Sequence, residues 1–318
     1  MNAPESQRVL DLRGLDGGNP LAFLAALGTL RLLDRASASP RLAWHQAYGG
    51  WTARLWSDQS NGQGNLAEYL ADELRATADH PALGRWKDLA VEPEDYRDYV
   101  LKATESASSG DREWTDFAAA LGCEAMADTT GSRTTIQNTA FRTMSGAGHQ
   151  HFLQTMRYVL GQVTAEHVRK ALFEPWAYDE PLEKVSLRWD PNDDIRYALR
   201  WRNPSGDPER KKRGSMLGAN ALAVHALPLF PTAPVGRRLA TTGFSRFDRR
   251  VAWTWPIWEA PVALPVVRSL VTLHELQRAS PLKADVRANL GRRGIAEIYR
   301  SRRITVGKYR NFTPGEPV

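Results

Sequence analysis

Between positions 20 and 33 the chain reads PLAFLAALGTLRLL, apolar on nearly every side until Arg31, a pattern that predicts a buried helix. Asn19 stands where an N-cap belongs, and Pro20 where the first helical residue does. Residues 9–12 (VLDL) predict a short strand before it, and 14–18 (GLDGG) a tight turn. Alternation takes over from 41 to 56 (RLAWHQAYGGWTARLW), with Gly49 and Gly50 marking the reversal of a hairpin. Helical spacing with acidic outer faces returns at 65–75, 96–103 and 112–121.

A polar, β-prone stretch, TTGSRTTIQNTAFRT, opens the second half at Thr129. The pattern then predicts helices at 149–160, after a Gly-rich turn at 145–148, and at 165–173. Residues 187–201 (LRWDPNDDIRYALRW) alternate about Pro191, Asn192, Asp193 and Asp194, which is hairpin chemistry. The run 216–227 predicts a helix closed by Pro228, 238–243 and 251–257 a pair of strands, and 264–276 a further helix. No internal repeat or low-complexity tract is present. Hairpins interspersed with helices predict an α+β fold whose sheet is largely antiparallel.

Charge divides this pattern into two expected lobes. Residues 1–130 hold 12 Lys/Arg against 20 Asp/Glu; residues 131–318 hold 30 against 16. An acidic lobe at 1–130, built on the buried helix, is therefore expected to precede a basic lobe at 131–318 that carries the hairpin at 187–201 and a basic tail. The basic excess is mostly arginine, whose planar fork suits bidentate phosphate contact. It falls in three segments. Arg200, Arg202, Arg210, Lys211, Lys212 and Arg213 surround an Asn-Pro-Ser-Gly turn. Arg237, Arg238, Arg246, Arg249 and Arg250 are interleaved with Phe244 and Phe247. Arg300, Arg302, Arg303, Lys308 and Arg310 lie in the tail among Tyr299, Tyr309 and Phe312. Basic residues mixed with aromatics suit neutralisation of a phosphate backbone with stacking on bases. All sixteen are expected to be a nucleic-acid surface, or, equally compatible with the pattern, a dock for an acidic protein.

Candidate chemistry is sparse. The 14–18 turn lacks the Gly-Lys-Ser/Thr ending of a phosphate loop and the spacing of a dinucleotide loop, so it reads as the seat of the helix. His149 and His151 open a predicted helix, where side chains two apart diverge, and no Cys or carboxylate adjoins them. Asp190, Asp193 and Asp194 are explained by their turn, and Cys123, the single cysteine, reads as a buried small apolar residue. No catalytic residue, metal or cofactor is expected. Most of the eleven tryptophans are expected in the core, with Trp253 and Trp255 sharing one strand face. No stretch reaches the roughly 18–20 apolar residues of a membrane helix. The N-terminal residues lack the apolar run of a secretory signal, and the lone cysteine excludes an internal disulfide, so the cytoplasm is the expected compartment.

Five segments resemble proteins of type I-G (formerly I-U) CRISPR loci: 14–33 (GLDGGNPLAFLAALGTLRLL), 171–201, 218–244, 251–261 (VAWTWPIWEAP) and 307–318 (GKYRNFTPGEPV). The proteins they resemble are accessory or large-subunit-like components, some related to an extension of the helicase-nuclease. The resemblance implies a non-catalytic antiviral role: binding crRNA or target DNA within a surveillance complex, or recruiting its nuclease, with other effector subunits as partners. It carries no catalytic motif. Two other functions remain open at this point, a metal-dependent nuclease or nucleotide-modifying enzyme of prokaryotic defence, and a protein-protein adaptor that touches no nucleic acid.

Overall fold

Helix α1 (Pro20–Arg35) is the hub of the chain, and fourteen consecutive residues of it, Pro20 through Leu33, are buried. The Asn19 side chain accepts the amides of Leu21 and Ala22 at 2.8 and 3.2 Å, satisfying donors that the first turn leaves over. The computed structural model describes residues 8–58, 62–144, 150–180, 186–193, 214–247, 250–277, 282–306 and 309–318.

On one side of α1 lies a three-stranded antiparallel sheet, ordered β1 (Arg8–Asp16), β3 (Gly50–Ser57), β2 (Arg41–Ala47). The hairpin turns at Tyr48 and Gly49, both in the left-handed region. A second, five-stranded antiparallel sheet runs β11 (Tyr309–Phe312), β10 (Ile295–Val306), β9 (Arg250–Trp258), β8 (Phe244–Phe247), with β12 (Glu316–Pro317) also paired to β10. Phe23 of α1 packs between them. Its ring lies 5.7 Å from Trp44 of the first sheet, and 5.8 and 5.7 Å from Trp253 and Trp255 of the second. Trp253 and Trp255 share a face, 4.6 Å apart and fully buried. Buried indole nitrogens need acceptors: Trp255 donates to the Gly17 carbonyl and Trp258 to that of Leu42, tying the sheets together.

Helices fill the remaining sides. These are α2 (Gln63–Ala78), α3 (Pro81–Gly84), α4 (Pro93–Ser108), α5 (Glu113–Leu121), α6 (Phe152–Gln162), α7 (Ala165–Phe173), α8 (Leu217–Val224), α9 (Leu264–Val271) and α10 (Ala284–Arg292). Gly28 lets α8 approach α1 closely: a Cβ there would stand 1.8 Å from the Leu222 carbonyl oxygen. Two further hairpins, β4 (Gly122–Thr130) with β5 (Arg133–Asn138) and β6 (Thr232–Val235) with β7 (Arg238–Thr241), complete an α+β fold with antiparallel sheets.

Several expectations are revised. The lobe boundary at 130/131 falls in the turn of the β4–β5 hairpin, whose strands pair across it, and one apolar cluster draws on residues from Leu12 to Val318. The strand at 238–241 pairs with β6, because Gly236 and Gly243, both at positive φ, turn the chain on either side of it. The strand at 251–257 pairs instead with β8 and β10. Leu187 and Trp189 are buried but stand outside any strand, followed by a 3-10 turn at Pro191–Asp193; the second arm of the expected hairpin lies outside the described residues. Within the basic tail, residues 295–306 form an inner strand of the larger sheet, paired with β9, β11 and β12.

Candidate nucleic-acid interface

Strand pairing decides which expected site residues meet. Residues directly opposite in an antiparallel pair share a face. On one face of the larger sheet the rows run Trp255 with Tyr299, then Trp253 with Ser301, then Arg246, Val251, Arg303 and Phe312, then Thr305 with Arg310. The apolar core face thus ends in arginines. On the opposite face the last rows bring up Arg302, opposite Ala252, and Arg250, opposite Phe247. Five expected residues, Arg246, Arg250, Arg302, Arg303 and Arg310, therefore gather at one end of one sheet. Among the described residues none of the five has a carboxylate within ion-pair distance, whereas Arg31, Arg54 and Arg169 are all paired.

A sixth guanidinium joins them. Phe141 is buried against Phe244, Trp253 and Phe230, with ring centroids 4.8, 5.1 and 5.3 Å away, and this anchor brings the next residue, Arg142, to the sheet end. The Arg142 carbonyl accepts from Arg303 Nη2 at 3.0 Å and from Arg310 Nη1 at 3.4 Å. The Arg142 side chain turns inward, donating to the Met144 carbonyl at 2.8 Å and pairing with Asp88 at 3.0 Å. His151 Nδ1 lies 4.0 Å from the other Asp88 oxygen. Of the three arginines, only Arg142 is paired with a carboxylate among the described residues. Burial, then the charges of Arg310 and Arg142, pull Arg303 down to about 9, far below the ordinary arginine range. Burial and Arg142 lower Arg310 as well, with Asp88 opposing. Arg303 Nε is closed off from solvent without a hydrogen-bond partner.

Other expected residues are placed differently. Arg237 and Arg238 are exposed at the tip of a different hairpin, β6–β7, which is not part of the larger sheet. Arg300 is a correction. The period of two turns it beneath the sheet, 8% exposed, where its guanidinium lies 4.0 Å over the Phe247 ring and Nε donates to Thr254. Burial lowers its pKa to about 10, so it serves the fold as a covered cation. Arg200, Arg202, Arg210, Lys211, Lys212, Arg213, Arg249 and Lys308 lie outside the described residues. Arg142 and Asp88 were missed: neither belongs to a charge cluster that the sequence singles out, and only the fold brings them to the tail.

The turn before α1 offers no amides to a phosphate. Gly17 N donates to the Trp51 carbonyl, Gly18 N to Asp16 Oδ1 and Asn19 N to the Asp16 carbonyl. Beside it a groove of about 410 Å³ is lined by Arg13, Asp16, Tyr48 and Trp51 among others, and none of the expected arginines among the described residues lines it. Among the described residues no three His, Cys, Asp or Glu side chains assemble as a metal-binding group. Asp190 instead accepts from the Asn192 amide and the Asn19 side chain. His151 precedes α6 without capping it, His149 and Asp194 lie outside the described residues, and Cys123 is half-buried on β4 rather than buried. No described helix is long and apolar enough to cross a membrane. No family model matches the chain, and no curated protein matches it.

Proposed function

We propose that this chain is a non-catalytic, nucleic-acid-binding subunit of a CRISPR antiviral complex, and that the arginine end of the larger sheet is its binding surface. The supporting observation is the convergence of Arg246, Arg250, Arg302, Arg303 and Arg310 at one sheet end with no carboxylate partner among the described residues. Folding does not gain from assembling like charges; a polyanion that releases counterions on binding does. Arg246, Arg250 and Arg302 are exposed, the first at the end of the core face and the other two on the opposite face, and suit phosphates of a strand that crosses the sheet end, while Arg303 and Arg310 stand half-buried beside them. The narrower assignment to a CRISPR complex rests on the resemblance of the five segments to type I-G proteins. In such complexes base pairing reads sequence and protein holds the backbone, a task that needs arginines but no catalytic group.

The test is to incubate the purified protein with end-labelled single- and double-stranded DNA and RNA, in the presence of Mg²⁺ or Mn²⁺. Retention of intact strands is expected. Cleavage that survives repurification and is lost on a carboxylate substitution would establish the nuclease reading in its place. Binding to partner subunits without any nucleic-acid retention would establish the adaptor.

A further inference from the structure

Resting on the nucleic-acid reading, we infer that the Arg142, Arg303 and Arg310 group holds a terminal phosphate monoester of a nucleic-acid strand, while the exposed arginines follow the strand's internal phosphates. Charge is the first argument. Three guanidiniums against the single Asp88 carboxylate leave two positive charges uncompensated among the described residues. A phosphate monoester carries about −1.5 to −2 at neutral pH and complements that excess, whereas one internal phosphodiester would leave half of it standing.

Donor geometry is the second. Arg303 and Arg310 both donate to one oxygen, the Arg142 carbonyl, so their guanidiniums converge within reach of a single small anion. Among the described residues each makes one hydrogen bond out of the five its fork can make, which leaves donors for bidentate contact with phosphate oxygens. Placing two cations side by side at a half-buried site is unfavourable in the free protein, and a dianion reverses that. The third argument is position. The group stands at the end of the core face, beyond Phe312 and Trp253, which fill the apolar side. A strand end fits that position, and Arg246, on the same face across Val251, lies where the chain leads away.

The experiment compares short single strands of one sequence carrying a 5′-phosphate, a 3′-phosphate or only hydroxyl ends, by fluorescence anisotropy with the label placed internally. The protein is expected to bind one phosphate-ended strand about tenfold more tightly than the hydroxyl-ended strand, as two charge-assisted contacts warrant. The end preferred shows which terminus is read, and inorganic phosphate should compete the preference away. Arg303→Gln and Arg310→Gln should each weaken the phosphate-ended strand about tenfold more than the hydroxyl-ended one, so that the preference between the two disappears. Arg303→Lys keeps the charge without the fork and should restore only part of the preference. Equal affinity for all three strands in the parent overturns this inference and leaves the nucleic-acid reading standing. Absence of binding to any strand overturns both.

Discussion

Replacing Arg303 with methionine distinguishes an arginine kept for a ligand from one kept for the fold. A structural arginine destabilises on removal, because its partners are left unpaired. Arg303 has no acidic partner among the described residues; burial and two neighbouring arginines drag its pKa to about 9. Converted at about 1.4 kcal/mol per pH unit, that depression sets a ceiling of about 5 kcal/mol on the penalty of holding the charge there. The side chain is only half-buried, and solvent screening reduces the figure to about 1–2 kcal/mol. Loss of the hydrogen bond to the Arg142 carbonyl offsets about 1 kcal/mol, and methionine retains the aliphatic packing. Because the folded value lies below the unfolded one, the penalty is fully present at neutral pH and declines only above about pH 9. Arg303→Met should therefore leave the unliganded protein unchanged or raise its melting midpoint by about 1–3 °C, while weakening phosphate-dependent binding. Differential scanning fluorimetry and urea titration at pH 7 read the outcome. A loss of more than about 2 kcal/mol would refute the reasoning and make Arg303 a structural residue.

Three further outcomes follow from the core. Gly28→Ala should cost upwards of about 3 kcal/mol or prevent folding, since the new methyl meets the Leu222 backbone, whereas Gly64→Ala, with open space around it, should be tolerated; expression and urea midpoints compare them. Acid should unfold the protein through His225, fully buried and lowered to about 3 by desolvation despite Glu113 nearby. Glu113 acts lower down: burial would raise it, but the Arg31 hydrogen bonds hold it at about 2. Both folded values lie below the unfolded ones, so stability is present at neutral pH and lost first below about 6.5, then more steeply below about 4.5. His225→Leu should flatten the upper part of that profile, and an already flat parent profile from pH 7 to 5 would refute the assignment. Asn19→Ala should lower stability by about 1 kcal/mol in the same urea assay, because two amides of α1 lose their acceptor.

The parts of this fold legible in the sequence are those that local chemistry dictates. The Asn19 cap, the Pro20 start, the apolar run of α1 and the 165–173 helix depend on neighbours a few residues away, and each was readable; the 41–56 hairpin was readable too, though its turn falls at Tyr48 and Gly49, one residue before the expected Gly49 and Gly50. Strand pairing was not. The partner of 251–257 is set by packing of Trp253 and Trp255 on Phe23, more than two hundred residues distant. The tail misled for a related reason: IAEIYRSRRITV has strand periodicity, but arginines occupy positions on both faces, and alternation alone assigns charge to solvent. Arg300 is covered by a ring and Arg303 sits at the edge of the core face, neither of which spacing reveals. The candidate site was legible as an excess of charge; its location, and the part played by Arg142 and Asp88, required the fold.

The salt dependence of strand binding tests the central claim most directly. With the parent protein and an Arg246→Gln/Arg250→Gln/Arg302→Gln variant of unchanged melting midpoint, affinity for a single strand is measured across a series of salt concentrations. The three exposed arginines should each contribute about 0.7 to the slope of log affinity against log salt, so the variant should bind more weakly at low salt with a slope shallower by about 2. An identical slope and affinity in parent and variant would show that the arginine end of the sheet does not face nucleic acid.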